Sequence, residues 1–142
     1  MTNKASNKKI LFGVTGSIAA YKAPSIVRGF KQKNYDVQVV LTSGGSRFTT
    51  PLTLSTVSGN TVLQSMWDDQ GTWHNHVRLA KESDLLIIAP ASANCLAKLA
   101  NGLCDEMLYA LYLSATCPVI VAPAMDLDCL LYTSDAADER SC

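Results

Sequence analysis

Residues 10–22 read ILFGVTGSIAAYK, and this stretch decides the fold. Ile10, Leu11, Phe12 and Val14, interrupted only by Gly13, make an apolar run of the length of a buried strand. From Ser17 an Ala-rich segment reads as a helix. The tight turn Thr15-Gly16-Ser17 joins the two. A chain that passes from a strand through glycine into a helix start leaves backbone N–H groups without intrahelical partners. Together with the helix dipole these favour a bound phosphate. Thr15 and Ser17 add hydroxyls. The competing reading is conformational, with Gly16 present only because the backbone needs its freedom. The turn lacks the Lys-Ser/Thr of a P-loop and the third glycine of the dinucleotide fingerprint, so the phosphate expected here is that of a mononucleotide. Lys22 lies one and a half turns into the helix, where a lysine is ordinarily solvated.

The chain has 142 residues, enough for one domain with a real core. Lys plus Arg and Asp plus Glu balance at 12 each, which leaves no electrostatic footprint for nucleic acid or an anionic membrane surface. A small molecule or another protein is the expected partner. The polar start MTNKASNKK has no apolar signal-peptide core, and no apolar run reaches membrane-spanning length. The five cysteines, Cys95, Cys104, Cys117, Cys129 and Cys142, form no C-x-x-C pair. A reducing cytoplasm is the expected location.

Working outward, residues 17–33 are expected to form one helix with a core stripe of Ile18, Tyr21, Ser25, Ile26 and Phe30. Pro24 makes it start late or kink. A turn at 34–36 leads into a second strand at 37–41, completing a βαβ unit with parallel strands. The loop TSGGS at 42–46 again places hydroxyls and glycines at the carboxyl end of a strand, the edge where open α/β sheets bind ligands. Short helices follow near Phe48 and at 51–58, stopped by Gly59. The run LLIIA at 85–89 reads as a strand buried on both faces, ending in PASAN at 90–94, where Ser92 or Asn94 can cap a helix at 95–101. A helix at 105–114 and a further buried strand at 118–122 lead to PAMD at 123–126. Each strand ends at a loop of small or hydroxyl residues. The expectation is a doubly wound, Rossmann-like parallel α/β sheet with one mononucleotide-sized site on its carboxyl edge.

Residues 66–76, MWDDQGTWHNH, break the pattern by placing two Trp and two His in a polar loop. His74 and His76 have no carboxylate or cysteine at ligand spacing, so no metal is expected. Either imidazole is a candidate general acid or base.

These residues resemble a known family, the homo-oligomeric flavin-containing cysteine decarboxylases, and most closely the phosphopantothenoylcysteine decarboxylase domain of coenzyme A biosynthesis. The resemblance covers residues 8 to about 128 and is carried by GVTGSIAAYK at 13–22, His76-Val77 and Leu79 before Asp84, PASAN at 90–94, Asn101-Gly102, and PAMD at 123–126. It implies that FMN phosphate lies on Gly16, Ser17 and Ile18, with Thr42, Ser43, Ser92, Ala93 and Asn94 around the rest of the flavin. It also implies that His76 is the catalytic base, that Met125 and Asp126 meet the substrate, and that the assembly is a trimer or a multiple of trimers. In such enzymes FMN takes two electrons from the substrate's cysteine moiety, and the thioaldehyde formed loses its carboxyl group as CO₂ because the electrons left behind are delocalised.

Two departures accompany the resemblance. The family motif P-x-M-N, whose Asn holds the substrate carboxylate, ends here in Asp126, and an ionised Asp126 would repel that carboxylate. Beyond Asp128 the likeness stops, and the sequence CLLYTSDAADE resembles translated sequencing-adapter DNA. The expected division is therefore a polar tail at 1–8, an incomplete decarboxylase domain at 9–128 and a non-native tail at 129–142, with a fused ligase domain absent. Other readings in the same fold are a peptidyl-cysteine decarboxylase and a flavin prenyltransferase. The latter is disfavoured because its first loop carries a further Ser-Gly where this chain has Ile18-Ala19-Ala20. A flavin-binding regulatory subunit without activity is the reading from a different class.

Overall fold

The computed structural model describes residues 7–127. The tail expected at 129–142, and all but the last two residues of the one expected at 1–8, lie outside the described residues. Strand β1 (Lys9–Val14) is flanked on one side by β2 (Asp36–Leu41) and on the other by β3 (Leu85–Ala91), and β4 (Val119–Pro123) pairs with β3. The order is β2-β1-β3-β4 and every pairing is parallel. From β1 the chain moves outward to β2, then returns across the sheet to β3. The order therefore reverses between β1 and β3, and the crevice outside their carboxyl ends is where such sheets hold ligands.

Helices cover both faces. Ile10, Phe12 and Val14 of β1 pack with Val37, Val39 and Leu41 of β2 beneath α1 (Ala23–Gln32) and α2 (Pro51–Ser58). On the other face Leu11, Val40, Leu86 and Ile88 pack beneath α3 (His76–Lys81), α4 (Ala93–Asn101) and α5 (Met107–Ser114). Alternation along each strand feeds the two clusters, as a sheet covered on both faces requires. Gly13 interrupts β1 for a packing reason: a Cβ there would lie 2.5 Å from Leu108 Cδ1 of α5, so the glycine lets that helix settle onto the sheet.

Three expectations are corrected. The single helix at 17–33 is a 3₁₀ segment, Ile18–Lys22, followed by α1, with Pro24 in its first turn. Of the expected core stripe only Phe30 packs inward: Ile18 and Tyr21 are 76% and 65% exposed, and Ser25 and Ile26 also face outward, while Ala20, Ala23 and Val27 are buried. Three residues per turn before Lys22 and 3.6 after it shift the phase, so a continuous helical wheel points the wrong residues inward. Second, β4 is an edge strand and not a buried one. Among the described residues only β3 pairs with it, and Ile120 is 52% exposed. Third, the loop at 66–76 ends in a short helix not foreseen: the Asn75 side chain accepts a hydrogen bond from Arg78 N at 2.9 Å and caps α3, of which His76 is the first residue. No helix among the described residues is long and apolar enough to cross a membrane.

Candidate functional site

The four loops at the carboxyl edge enclose a cleft of about 800 Å³, within the range of small-molecule sites. Thr15 organises it from below. Its hydroxyl donates to the Pro90 carbonyl at 2.5 Å and accepts from Ser92 N–H at 2.9 Å, tying the ends of β1 and β3 together. Thr15 is 1% exposed, so its hydroxyl serves the fold and is not the free donor the sequence reading supposed. Gly16 has an ordinary negative-φ backbone and owes its place to close approach: a Cβ there would meet the backbone of Gly44 at 3.0–3.2 Å. Glycine at both positions lets the loops after β1 and β2 touch backbone to backbone, which answers the conformational reading of Gly16 with a steric one.

Ser17 caps the 3₁₀ segment, its side chain accepting from Ala19 N–H at 3.4 Å, and Ile18 stands exposed beside it. Ser92 caps α4 by accepting from Cys95 N–H at 3.1 Å. Ala93 and Asn94 open that helix at the cleft, where first-turn N–H groups have no intrahelical acceptor. Two cavity-lining residues are more engaged than the sequence suggested. Thr42 is 4% exposed, and its hydroxyl donates to the Val14 carbonyl at 3.2 Å while accepting from Gly45 N–H at 3.1 Å. Ser43 gives both its N–H and its hydroxyl to Glu106 Oε1, at 3.0 and 2.5 Å. Met125 and Asp126 line the far side, on a loop held to β3 by Ala124 N–H donating to the Ala91 carbonyl at 3.0 Å.

Phe48, Lys98, Glu106 and Tyr109 also line the cleft and were not foreseen. Lys98 is bonded to Asp105 at 2.7 Å and lies 5.0 Å from the centroid of the Tyr109 ring. The hydrogen bond that Lys98 donates to the Asp105 carboxylate raises the Lys98 pKa, so the ammonium stays charged. Burial, then the neighbouring Cys95, pushes the Tyr109 phenol well above its usual range, and burial also raises the Cys95 thiol. Tyr109 is thus a neutral hydrogen-bonding group in the wall. A tyrosine and an acid at the start of the otherwise apolar α5 were the available sequence signal.

His76 does not join the cleft of its own chain. Its ring stacks on Trp73 with centroids 5.8 Å apart, and its Nδ1 is shielded with no hydrogen-bond partner among the described residues. His74 lines a separate groove of about 680 Å³ with Trp67 and Leu52. Ten of the expected site residues stand together around the cleft, Gly16, Ser17, Ile18, Thr42, Ser43, Ser92, Ala93, Asn94, Met125 and Asp126; His76 alone stands apart.

The geometry has counterparts. The chain is 43% identical over 124 residues to the coenzyme A biosynthesis bifunctional protein CoaBC of Haemophilus influenzae, covering 87% of this chain and 31% of that protein. It spans about a third of the length of such relatives. Among solved structures, the FMN-dependent cysteine decarboxylase TvaF from thioviridamide biosynthesis superposes with a TM-score of 0.81 at 28% identity, covering 93% of this chain and 86% of that one. A PPC decarboxylase mutant complexed with pantothenoylaminoethenethiol gives 0.72 at 30% identity, covering 94% and 74%. The flavoprotein family pattern itself matches residues 1–139. With residues 1–139 inside that pattern, the chain belongs to the flavoprotein family.

Proposed function

We propose that this chain is the FMN-binding decarboxylase unit of coenzyme A biosynthesis, acting on 4'-phosphopantothenoylcysteine to give 4'-phosphopantetheine in the cytoplasm. The observation that carries the proposal is the cleft at the β1–β3 reversal. Gly16 there presents bare backbone, since a Cβ would reach the Gly44 backbone at 3.0 Å, and Phe48, Met125 and Tyr109 supply walls for a flat ring. Residues of this kind fit FMN. When bound, FMN supplies a two-electron acceptor for the substrate's cysteine moiety.

The protein's own contributions follow from where its groups stand. The turn at Gly16, Ser17 and Ile18 holds the phosphate through the N–H groups of Gly16 and Ile18 and the Ser17 hydroxyl, the Ser17 N–H being turned to the Thr15 carbonyl at 2.9 Å, with Ala93 and Asn94 facing the same cleft. Thr42 shapes the loop after β2, Ser43 is positioned by Glu106, and Ser92 holds the start of α4. Met125 and Asp126 meet the substrate. His76 acts as the base on the cleft of a second copy, because its own chain keeps it elsewhere. That requires an oligomer, a trimer or a multiple of trimers, in which the exposed Trp67 and Trp73 form part of the contact.

The similarity to TvaF and the acid at Asp126 favour one alternative within the fold, decarboxylation of a peptidyl cysteine. The full chain, purified and loaded with FMN, is expected to release CO₂ from 4'-phosphopantothenoylcysteine. Release only from a peptide ending in cysteine would replace the proposal by the alternative. Retained FMN with release from neither substrate would leave a flavin-binding subunit.

A further inference from the structure

The turn after β2 carries a cation that the proposed function does not use. Gly45 is wedged against β1: its N–H donates to Thr42 Oγ1 at 3.1 Å, and a Cβ would lie 2.6 Å from the Val14 carbonyl oxygen. The Ser46 hydroxyl donates to the Ser43 carbonyl at 2.7 Å, and the N–H groups of Phe48 and Thr49 both return to the Gly45 carbonyl, at 3.0 and 3.2 Å. A turn tied at so many points sets the place of the next side chain, that of Arg47. Arg47 lines a cavity of about 460 Å³ whose other walls, Gly16, Ser43, Gly44 and Phe48, are shared with the main cleft.

The electrostatics of this edge are uneven. Lys98, the cation lining the main cleft, is engaged by Asp105 at 2.7 Å. Both donors of Ser43 are taken by Glu106, the acid bordering this edge. Arg47 makes no ion pair among the described residues. The side of the Gly16 turn that faces β2 is therefore short of free backbone and hydroxyl donors and holds one unengaged guanidinium. That planar fork matches the oxygens of a phosphate monoester in a bidentate way, which an ammonium does not.

We propose that Arg47 completes a phosphate-monoester subsite at the cavity beside Gly16. The phosphate comes either from FMN or from the phosphorylated substrate, and the inference rests on the flavin reading of the adjoining cleft. Arg47 is exposed, so its replacement should leave the fold intact, which a thermal melt verifies. Affinities for FMN and for riboflavin, which lacks the phosphate, are compared in the full chain and its Arg47→Gln and Arg47→Lys variants. If the subsite holds the cofactor, Arg47→Gln weakens FMN about tenfold or more while riboflavin is unchanged, and Arg47→Lys recovers part of the loss. If it holds the substrate, FMN affinity is unchanged, and the FMN-loaded Arg47→Gln variant binds 4'-phosphopantothenoylcysteine about tenfold more weakly, with pantothenoylcysteine unaffected. Equal affinities for all four ligands overturn the inference. A wild-type chain that binds no FMN overturns the flavin reading instead. Inorganic phosphate then decides the subsite alone: weaker binding to Arg47→Gln supports it, and identical binding refutes it.

Discussion

His76 and Asp126 differ most from their surroundings. The imidazole has a shielded Nδ1 without a partner and a Trp73 ring stacked on its face, an arrangement in which a surface histidine gains little from its position. If it serves a neighbouring cleft as general base, His76→Asn keeps the bound flavin and the melting temperature and loses decarboxylation by about a hundredfold or more. His74→Asn, in the separate groove, changes the rate little. Asp126 is exposed, and its own carboxylate accepts from Leu127 N–H at 3.2 Å, so no cation pairs with it among the described residues. Asp126→Asn removes a like charge from the approach of a carboxylate substrate, and the KM at neutral pH is expected to fall or hold steady. A large loss of kcat in that variant would show that the carboxylate itself takes part.

At the scale of elements, the junction of β1 with β3 is the point on which the cleft depends. Among the described residues, Thr15 alone bridges the two strand ends through its side chain, donating to one backbone group and accepting from another within a buried site. Thr15→Val preserves the shape and strands the Ser92 N–H, while the Pro90 carbonyl keeps the Thr15 N–H at 3.3 Å, so unfolding free energy should drop by about 1–3 kcal/mol, read from urea denaturation. Thr15→Ser retains the hydroxyl and should recover most of that. Flavin affinity is expected to follow the same ranking, because the loop after β3 is placed by this bond. A Val variant as stable as wild type would mean that water or a relaxed backbone replaces the hydroxyl. The short 3₁₀ segment after Gly16 teaches the same lesson about elements: its winding, and not its hydropathy, turns Ile18 outward at the rim of the cleft and leaves Tyr21 exposed.

At the scale of the molecule, the described residues leave a group of large apolar side chains exposed. Trp67 and Trp73 are 56% and 58% exposed, joined by an isolated antiparallel bridge with their tilted rings 5.6 Å apart between centroids, and Val77 is exposed as well. Clustered aromatics of this kind mark contact surfaces. The flavin-loaded protein is therefore expected to be at least a trimer by light scattering, and Trp73→Ala is expected to shift it toward smaller species while lowering decarboxylation, since the proposed base, His76, stacks on that ring. A flavin-loaded monomer with full activity would separate His76 from the reaction.

The parallel α/β class, the four strands and the loops that line the cleft were legible in the sequence, because sheet strands leave short apolar runs and the turns after them are rich in glycine and hydroxyl residues. The motif at 13–22 was enough to locate the cleft. The sequence could not show which hydroxyls face the ligand and which are consumed by the fold, since Thr15, Ser17, Thr42, Ser43 and Ser92 are alike in composition and differ only in what each meets across the sheet. It also could not reveal Glu106, Lys98 and Tyr109, which reach the cleft from helices distant in sequence, nor that His76 lies outside it. Those distinctions depend on which backbone groups are left unpaired once β1, β2 and β3 are side by side, a property of the packed chain and of no single segment.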